Sequence, residues 1–475
     1  MSEIISAKIA YPSGKAYKLA MAVVLMGLFM AVLDAMIVSI ALPGITEYFG
    51  NDVSRSQWVV TSYLVTITAL LLLFGKLSSI TGLKRMFLAG LAVFTVCSLG
   101  CGLATSLEML VFFRILQAIG AAMTSSISMA LVYLLNPPER HGKAMGMLGA
   151  TIGVASMAGP CLGGLLLGYF DWRAIFLINV PIGVIALMTG IPCLNVTDIS
   201  NLRNDKAGID RVGAIALIAG LGSFMVFLNV AFGAADPALA YVTGGIALLS
   251  AVVFLWNEKR HPNPIIDPGI FRIRDFSLSL ISMILFFIAV YMLNIIAPFY
   301  LEDIMGLTSV QIGMVLVVVP LIFVIGAPVS GGLYDRGRWK HFTATGLVVA
   351  FAGLVVCAWA MLHADFLLLI GSFCLFAIGY ALFQTPNNAE IMRGLPHEKS
   401  PIASSVANTG RHLGMTLGAV IASGMLSLQG VIPGLFGDFG QGLQALALVS
   451  GVTVFMAAVL CIIAAWPSFV RNRKL

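Results

Sequence analysis

The sequence predicts an all-α integral membrane protein, and three observations carry that reading. Mean hydropathy is +1.00 over 475 residues, of which 59% are hydrophobic and only 10% charged, too little polar material to coat a soluble domain of this length. Apolar runs of ~20 residues recur along the chain, the length that crosses a ~30 Å hydrocarbon core at ~1.5 Å per residue. Lysine and arginine fall almost entirely in the short segments between those runs. The runs must be helices, because lipid offers the backbone no hydrogen-bond partners. Stretches such as Leu64–Phe74 also lack the alternation of a membrane β-barrel.

Fourteen spans are predicted, centred near Val32, Ala69, Val96, Thr124, Val154, Ile182, Leu221, Ser250, Phe287, Pro320, Phe351, Phe376, Thr416 and Phe455. The first, Leu19–Pro43, is too long for the apolar region of a cleaved signal and reads as a retained span. Spans 2 and 3 are parted by Gly75-Lys-Leu-Ser-Ser79-Ile-Thr-Gly82-Leu-Lys84-Arg85. Spans 10 and 11 are parted by the similar Gly331-Gly-Leu-Tyr-Asp335-Arg336-Gly-Arg338, a weak repeat that suggests a duplicated six-span unit. The polar stretch Asn195–Arg211 and the Pro-containing stretch Asn257–Asp275 bracket spans 7 and 8. The expected organisation is a six-helix half over residues 1–193, two linker helices with their loops over 194–275, and a second six-helix half over 276–475.

With the N-terminus inside, 23 of the 27 basic residues lie on the inner side and only Arg55 and Arg173 on the outer; Arg114 and Arg411 lie within spans. Both termini are therefore expected in the cytoplasm, with the chain in the cell membrane. The net charge of +6 forms no dense basic stripe, which argues against nucleic-acid binding. No phosphate-binding Gly-x-x-x-x-Gly-Lys-Ser/Thr loop occurs, so ATP-driven transport is not expected, and no His/Asp cluster with ligand spacing suggests a metal site or a membrane enzyme. The seven cysteines fall in apolar runs and read as buried, inert thiols.

The chemistry concentrates in a few polar residues at membrane depth. Asp34 is the deepest acid, and a carboxylate there faces the bundle interior and commonly marks an ion or proton path. Arg114 in span 4 lies at similar depth and needs a partner, so the two are expected to pair, whether statically or within a transport cycle. In span 5, Ala155, Gly159, Pro160, Gly163 and Gly164 follow Gly149 and Gly153; small residues with a bend suit either tight packing or an interface between moving halves. At inner helix ends, Gly75, Gly82, Lys84 and Arg85 with Gly331, Asp335 and Arg336 offer a gate, or merely charged turns that set topology. Gln117, Asn294, Gln384, Asn388, Arg411 and His412 are candidates to line a substrate cavity, with Arg411 able to bind an anionic group or a neighbouring acid. Aromatics such as Phe286, Phe287, Tyr291, Phe376 and Tyr380 could line that cavity too, but for most of them a lipid-facing role is expected.

At these residues the chain resembles the 14-spanner drug:proton antiporter family of the major facilitator superfamily. The resemblance covers nearly the whole chain: Leu33-Asp34 through Ala41-Leu42-Pro43, Arg114 with Gln117 and Gly120, and Gly159-Pro160 through Gly163-Gly164. It continues in Asp171-Trp172-Arg173 through Asn179-Val-Pro181, in Pro264 through Asp267 and Phe271-Arg272, and in Asn408 through Arg411 and Gly414. Ser79 and Ile80 stand where the first-half loop motif normally carries an acid and an arginine; Met36, Ser39 and Ala118 are further departures. The resemblance implies a major facilitator fold and export of small, lipophilic or drug-like organic molecules by alternating access, driven by proton entry. It implies Asp34 as proton carrier, Arg114 as its counter-ion, no cofactor beyond the proton gradient, and protons, a small substrate and the bilayer as partners. A monomer is compatible with this reading. The alternatives are a dedicated exporter or importer of one metabolite, such as an amino acid, vitamin or siderophore, and a transport-dead receptor.

Overall fold

The computed structural model describes residues 14–51, 53–194, 210–232, 237–337, 341–427 and 443–472, and among these it contains helices and no strands. The first seven long helices are α1 Gly14–Phe49, α2 Trp58–Thr81, α3 Leu83–Gly102, α4 Leu107–Leu134, α5 His141–Tyr169, α6 Asn179–Cys193 and α7 Arg211–Phe232. The second seven are α8 Pro237–Glu258, α9 Arg274–Asp303, α10 Val318–Asp335, α11 Phe342–His363, α12 Phe366–Arg393, α13 Ser400–Ser427 and α14 Leu443–Asn472. Each predicted centre falls inside one of them. Basic residues Lys8, Arg203, Lys206, Arg338, Lys340, Arg473 and Lys474 lie outside the described residues.

Local chemistry explains several boundaries. Ser106 caps α4 by accepting from the Met109 N–H, and Asp365 caps α12 by accepting from Leu368. Gly82 turns the chain between α2 and α3 at φ +93°, a conformation open to glycine. Pro320 cannot donate to the Leu316 carbonyl, and the helical run that includes α10 is offset there from a short preceding helix, Ser309–Leu316.

Among the described residues, α1 to α12 are long and apolar enough to cross a membrane, α6 and α10 each together with the short helix before it. α13 is equally long but less apolar, because Ser404, Ser405, Asn408, Thr409 and Arg411 are buried along it. The described apolar window of α14 is Val449–Ile463. Large apolar side chains such as Val96, Phe112, Met188, Leu248, Ile325 and Leu367 face outward, a surface suited to lipid rather than water. The cysteine reading needs correction: Cys97, Cys101, Cys357 and Cys461 are buried, but Cys193 and Cys374 are half-buried and Cys161 is exposed, because an apolar run in lipid has an outward face as well as an inward one.

The apolar core is asymmetric along the bundle. At the end bearing the basic loops, one continuous cluster joins Met86, Leu131 and Met145 of the first six helices to Phe276, Ile391 and Ala403 of the last six. At the opposite end the core divides. One cluster draws on α1, α4 and the segment Trp172–Phe176; another is confined to the last six helices and the turn before α10. α7 and α8 pack on each other, and α7 also touches α2 and α13.

Close backbone approach sets the tightest helix pair, α11 with α12. A Cβ on Gly379 would lie 2.7 Å from the Ala350 Cα and 2.8 Å from the Gly346 carbonyl, and one on Gly353 would lie 2.8 Å from the Phe376 Cα. Gly379→Val should therefore force the helices apart at a cost of about 1–3 kcal/mol. Gly371→Val on the same helix meets nothing within 4 Å. The thermal midpoint of the detergent-purified protein should fall by several degrees for Gly379→Val and stay near wild type for Gly371→Val.

Candidate functional site

Asp34 lies on α1 with no exposed surface, and Arg114 on α4 is 1% exposed. Arg114 Nη1 donates to Asp34 Oδ2 at 2.5 Å and to Gln117 Oε1 at 2.7 Å, while Nε donates to the Val59 carbonyl at 3.0 Å. Gln117, one helical turn beyond Arg114, donates from Nε2 to Asp34 Oδ1 at 3.0 Å and to Ser98 Oγ at 2.7 Å. Asn179, the first residue of α6, donates from Nδ2 to Asp34 Oδ1 at 3.3 Å, leaving its own Oδ1 without a partner. The Tyr63 ring lies 4.1 Å from the guanidinium carbon and the Phe176 ring 5.7 Å from it. A buried ion pair is tolerable only when its remaining donors and acceptors are met, and here five helices supply the groups that meet them. Protonation of Asp34 would remove the charge that holds Arg114 Nη1.

Gln117 is thus part of this charge centre, a correction to its placement in a substrate cavity: the i, i+3 spacing puts it beside Arg114. Tyr63, Ser98 and the Val59 carbonyl were not singled out from sequence, and Asn179 was named only within the segment entering span 6, without a role. Only Asn179, a polar residue in an apolar run, carried a usable signal.

The basic end is sealed by contacts between the first and last six helices. Asp335, at the end of α10, accepts from the Gly142 N–H at 2.7 Å and the Lys143 N–H at 2.8 Å, in the first turn of α5. Arg393, not singled out from sequence, approaches Asp335 Oδ1 at 3.8 Å and donates to the Pro138 carbonyl at 3.0 Å and the Tyr334 hydroxyl at 3.4 Å. Gly331 sits so close to Gly142 that a Cβ would overlap its carbonyl. Gly75 sits likewise on Ser405, and Asn408 donates to the Ser125 carbonyl at 2.7 Å. Arg85 and Arg336 are exposed, and Lys84 is half-buried beside the Gly82 turn. The arginine that reaches Asp335 is therefore Arg393, not Arg336 or Arg85, because the turn after α10 carries Arg336 outward. Ser79 donates to its own Lys76 carbonyl.

The loop between α8 and α9 also bridges this end. Lys76 donates to the Pro264 carbonyl at 2.7 Å, and Lys399 to Asp267 at 2.8 Å. That lysine bond, then the Gly269 N–H, hold the Asp267 carboxyl below its usual range.

The α5 glycines divide between two jobs. A Cβ on Gly146 would lie 2.7 Å from the Pro328 Cα, and one on Gly153 would lie 2.8 Å from Val324, so α10 presses on the basic half of α5. Gly159 and Gly163 instead pack on Met36 and Ile37 of α1, beside Asp34, with Ala155 buried, Pro160 exposed and Gly164 facing open space. The two readings of the span 5 small residues thus divide along the helix: Gly149 and Gly153, with Gly142 and Gly146, meet the other half, whereas Gly159 and Gly163 pack within their own half. Small residues license close approach without specifying the neighbour.

Among the remaining candidates, Asn294 is exposed, with its Nδ2 on its own Val290 carbonyl. Gln384 and Asn388 are buried on one face of α12, with Gln384 Oε1 and both Asn388 amide atoms unpartnered. Arg411 is 8% exposed, with Nε and Nη2 unpartnered and its guanidinium 5.3 Å from the Phe287 ring centre. His412 is half-buried. The aromatic expectation is overturned: Phe286, Phe287 and Phe376 are buried, and Tyr380 stacks on Phe323 at 4.4 Å. Their rings fill the space between α9, α10 and α12, where area is buried without a polar cost.

The sequence profile of the Major Facilitator Superfamily matches residues 24–419. The chain is 33% identical to the riboflavin transporter RibZ of Clostridioides difficile over 84% of this chain and 86% of that one. It is 29% identical to the multidrug export protein EmrB of Escherichia coli K12 over 84% and 78% of the two chains. Its fold superposes on a double-tryptophan variant of XylE with a TM-score of 0.67 at 14% identity, covering 97% of this chain and all of that one.

Two outcomes test this geometry. Arg114→Leu or Asp34→Leu alone leaves a buried charge unpaired, at about 3–5 kcal/mol, and the double variant should recover much of the loss; additive falls in thermal midpoint would refute the coupling. Asp335→Ala strips the first turn of α5 of both carboxylate contacts. Labelling of Ser330→Cys by an impermeant maleimide from the basic side should then rise several-fold over the same variant with Asp335 intact.

Proposed function

The chain belongs to the Major Facilitator Superfamily, and within it we propose that this protein is a proton-coupled antiporter exporting small organic molecules by alternating access. Members of this family are transporters, not enzymes, and use no cofactor. The observation that carries the reading is the buried Asp34–Arg114 pair: among the described residues Asp34 is the one acid buried midway along a long helix. An uncompensated charge at that depth costs several kcal/mol, which favours a group whose charge changes during the cycle.

In the proposed cycle the basic end is cytoplasmic, following the lysine and arginine bias. The conformation, sealed at that end and divided at the other, is then the outward-facing one. A proton entering from outside neutralises Asp34 and frees Arg114; Asn179 Oδ1, adjacent and unpartnered, can accept from the protonated carboxyl. Gly159 and Gly163 lay α5 against α1 beside Asp34, so a change in the pair can reach the helix whose other half contacts α10. Opening inward requires release of Asp335 from α5 and of Gly75 from Ser405. Residues 1–193 and 276–475 are the two moving halves, with 194–275 as linker. The substrate cavity lies between them, with Gln384, Asn388, Arg411 and His412 as its polar candidates.

The names of the relatives support small organic cargo without choosing one. EmrB is a multidrug export protein, and RibZ a riboflavin transporter. The identity to RibZ supports a second reading, a dedicated carrier of one metabolite.

The test is transport in proteoliposomes with an imposed pH gradient. Asp34→Asn keeps the shape but cannot ionise, so gradient-driven accumulation should vanish while downhill exchange of substrate persists. Undiminished gradient-driven transport by Asp34→Asn would overturn the coupling. Inhibition of fluorescein transport by many unrelated compounds supports the multidrug reading; inhibition by riboflavin alone supports the dedicated one.

A further inference from the structure

The two intramembrane arginines are treated in opposite ways. Arg114 is bound to a carboxylate, a side-chain amide and a backbone carbonyl. Arg411 is also more than nine-tenths buried, yet two of its guanidinium nitrogens have no acceptor, and among the described residues no carboxylate pairs with it. Its flat face is covered by Phe287, and the half-buried Tyr380 ring lies 6.3 Å from the Phe287 ring between centres. Packing holds the helix that carries Arg411. Gly410, Gly414 and Gly418 share one face of α13, and a Cβ on Gly414 would lie 2.7 Å from the Ile284 carbonyl of α9. The backbone that carries the guanidinium is thus fixed in place before any ligand arrives.

A desolvated guanidinium with unmet donors is costly. Its in-plane fork matches two coplanar oxygens, whereas ring faces beside it favour a flat conjugated body. We propose that Arg411 is the recognition cation of the substrate site, and that the preferred substrate class is a planar aromatic compound presenting a carboxylate or an equivalent pair of acceptor oxygens to it, with its ring beside Phe287 and Tyr380. This rests on the transporter reading and narrows it. A cationic group entering here would meet a fixed positive charge, so organic cations are the disfavoured class.

Equilibrium binding to the full chain in lipid nanodiscs, read by fluorescence titration, tests the proposal without requiring transport. The probes are 2-anthracenecarboxylate, 2-anthracenecarboxamide and 2-(aminomethyl)anthracene, which share a ring and differ in charge. The wild type should bind the carboxylate about ten-fold or more tighter than either other probe, the size of a charge-assisted paired contact. Arg411→Gln should bring the carboxylate-to-amide ratio close to one while leaving amide affinity in place. Arg411→Lys keeps the charge but loses the fork, and should retain only part of the preference. A wild-type ratio near one, or a ratio that survives in Arg411→Gln, overturns the proposal. If Arg411→Gln does not fold, the wild-type ratio and its fall in Arg411→Lys decide. Failure of the antiport reading looks different: no probe moves with a pH gradient, whatever the binding ratio.

Discussion

A charge inside a lipid-embedded bundle has no water to turn to, and the arrangement of the first six helices answers that constraint. Asp34 and Arg114 are held by Gln117 and the Val59 carbonyl, with Ser98 and Asn179 behind them. Those residues come from α1, α2, α3, α4 and α6, so the charge centre is also where these helices are registered against one another. In the proposed cycle, neutralising this carboxylate would leave donors that must find other partners, which would link a proton to helix packing.

The second feature is the contrast between the two ends. At the basic end, glycines bring α5 onto α10 and α2 onto α13 until backbone meets backbone, and Asp335 ties the first turn of α5. Away from that end, α5 leaves α10 and leans on α1 next to Asp34. One helix therefore touches both the charge centre and the seal, a physical route between them that needs no long chain of intermediates.

The two buried arginines express two uses of the same side chain. Arg114 is fully engaged and sits where the protein supplies the counter-charge. Arg411 lies against an aromatic face on a closely packed helix, with donors unmet. A preorganised, unsatisfied group in a transporter is most economically explained by something the transporter carries.

The positions of the long helices, and the singular standing of Asp34 and Arg114, were legible in sequence. Length and hydropathy are properties of a segment by itself, and a charge within an apolar run is conspicuous. Partners were less legible. Gln117 could have faced a cavity, and only its spacing from Arg114 hinted otherwise. Arg393 looked like one more basic residue at a helix end, where topology alone would place it. The small residues from Gly149 to Gly164 suited either tight packing or an interface between halves, because small residues announce a close neighbour without naming it. Asp34 and Arg114 are 80 residues apart, and Asp335 and Gly142 are 193 apart. Which residues meet across such distances is decided by helix packing, where each contact depends on all the others. The sequence by itself thus determined the helices, their membrane setting and the charges that could not be left alone. Only the tertiary structure decided what satisfies each charge, which end is sealed, and which arginine still lacks a partner.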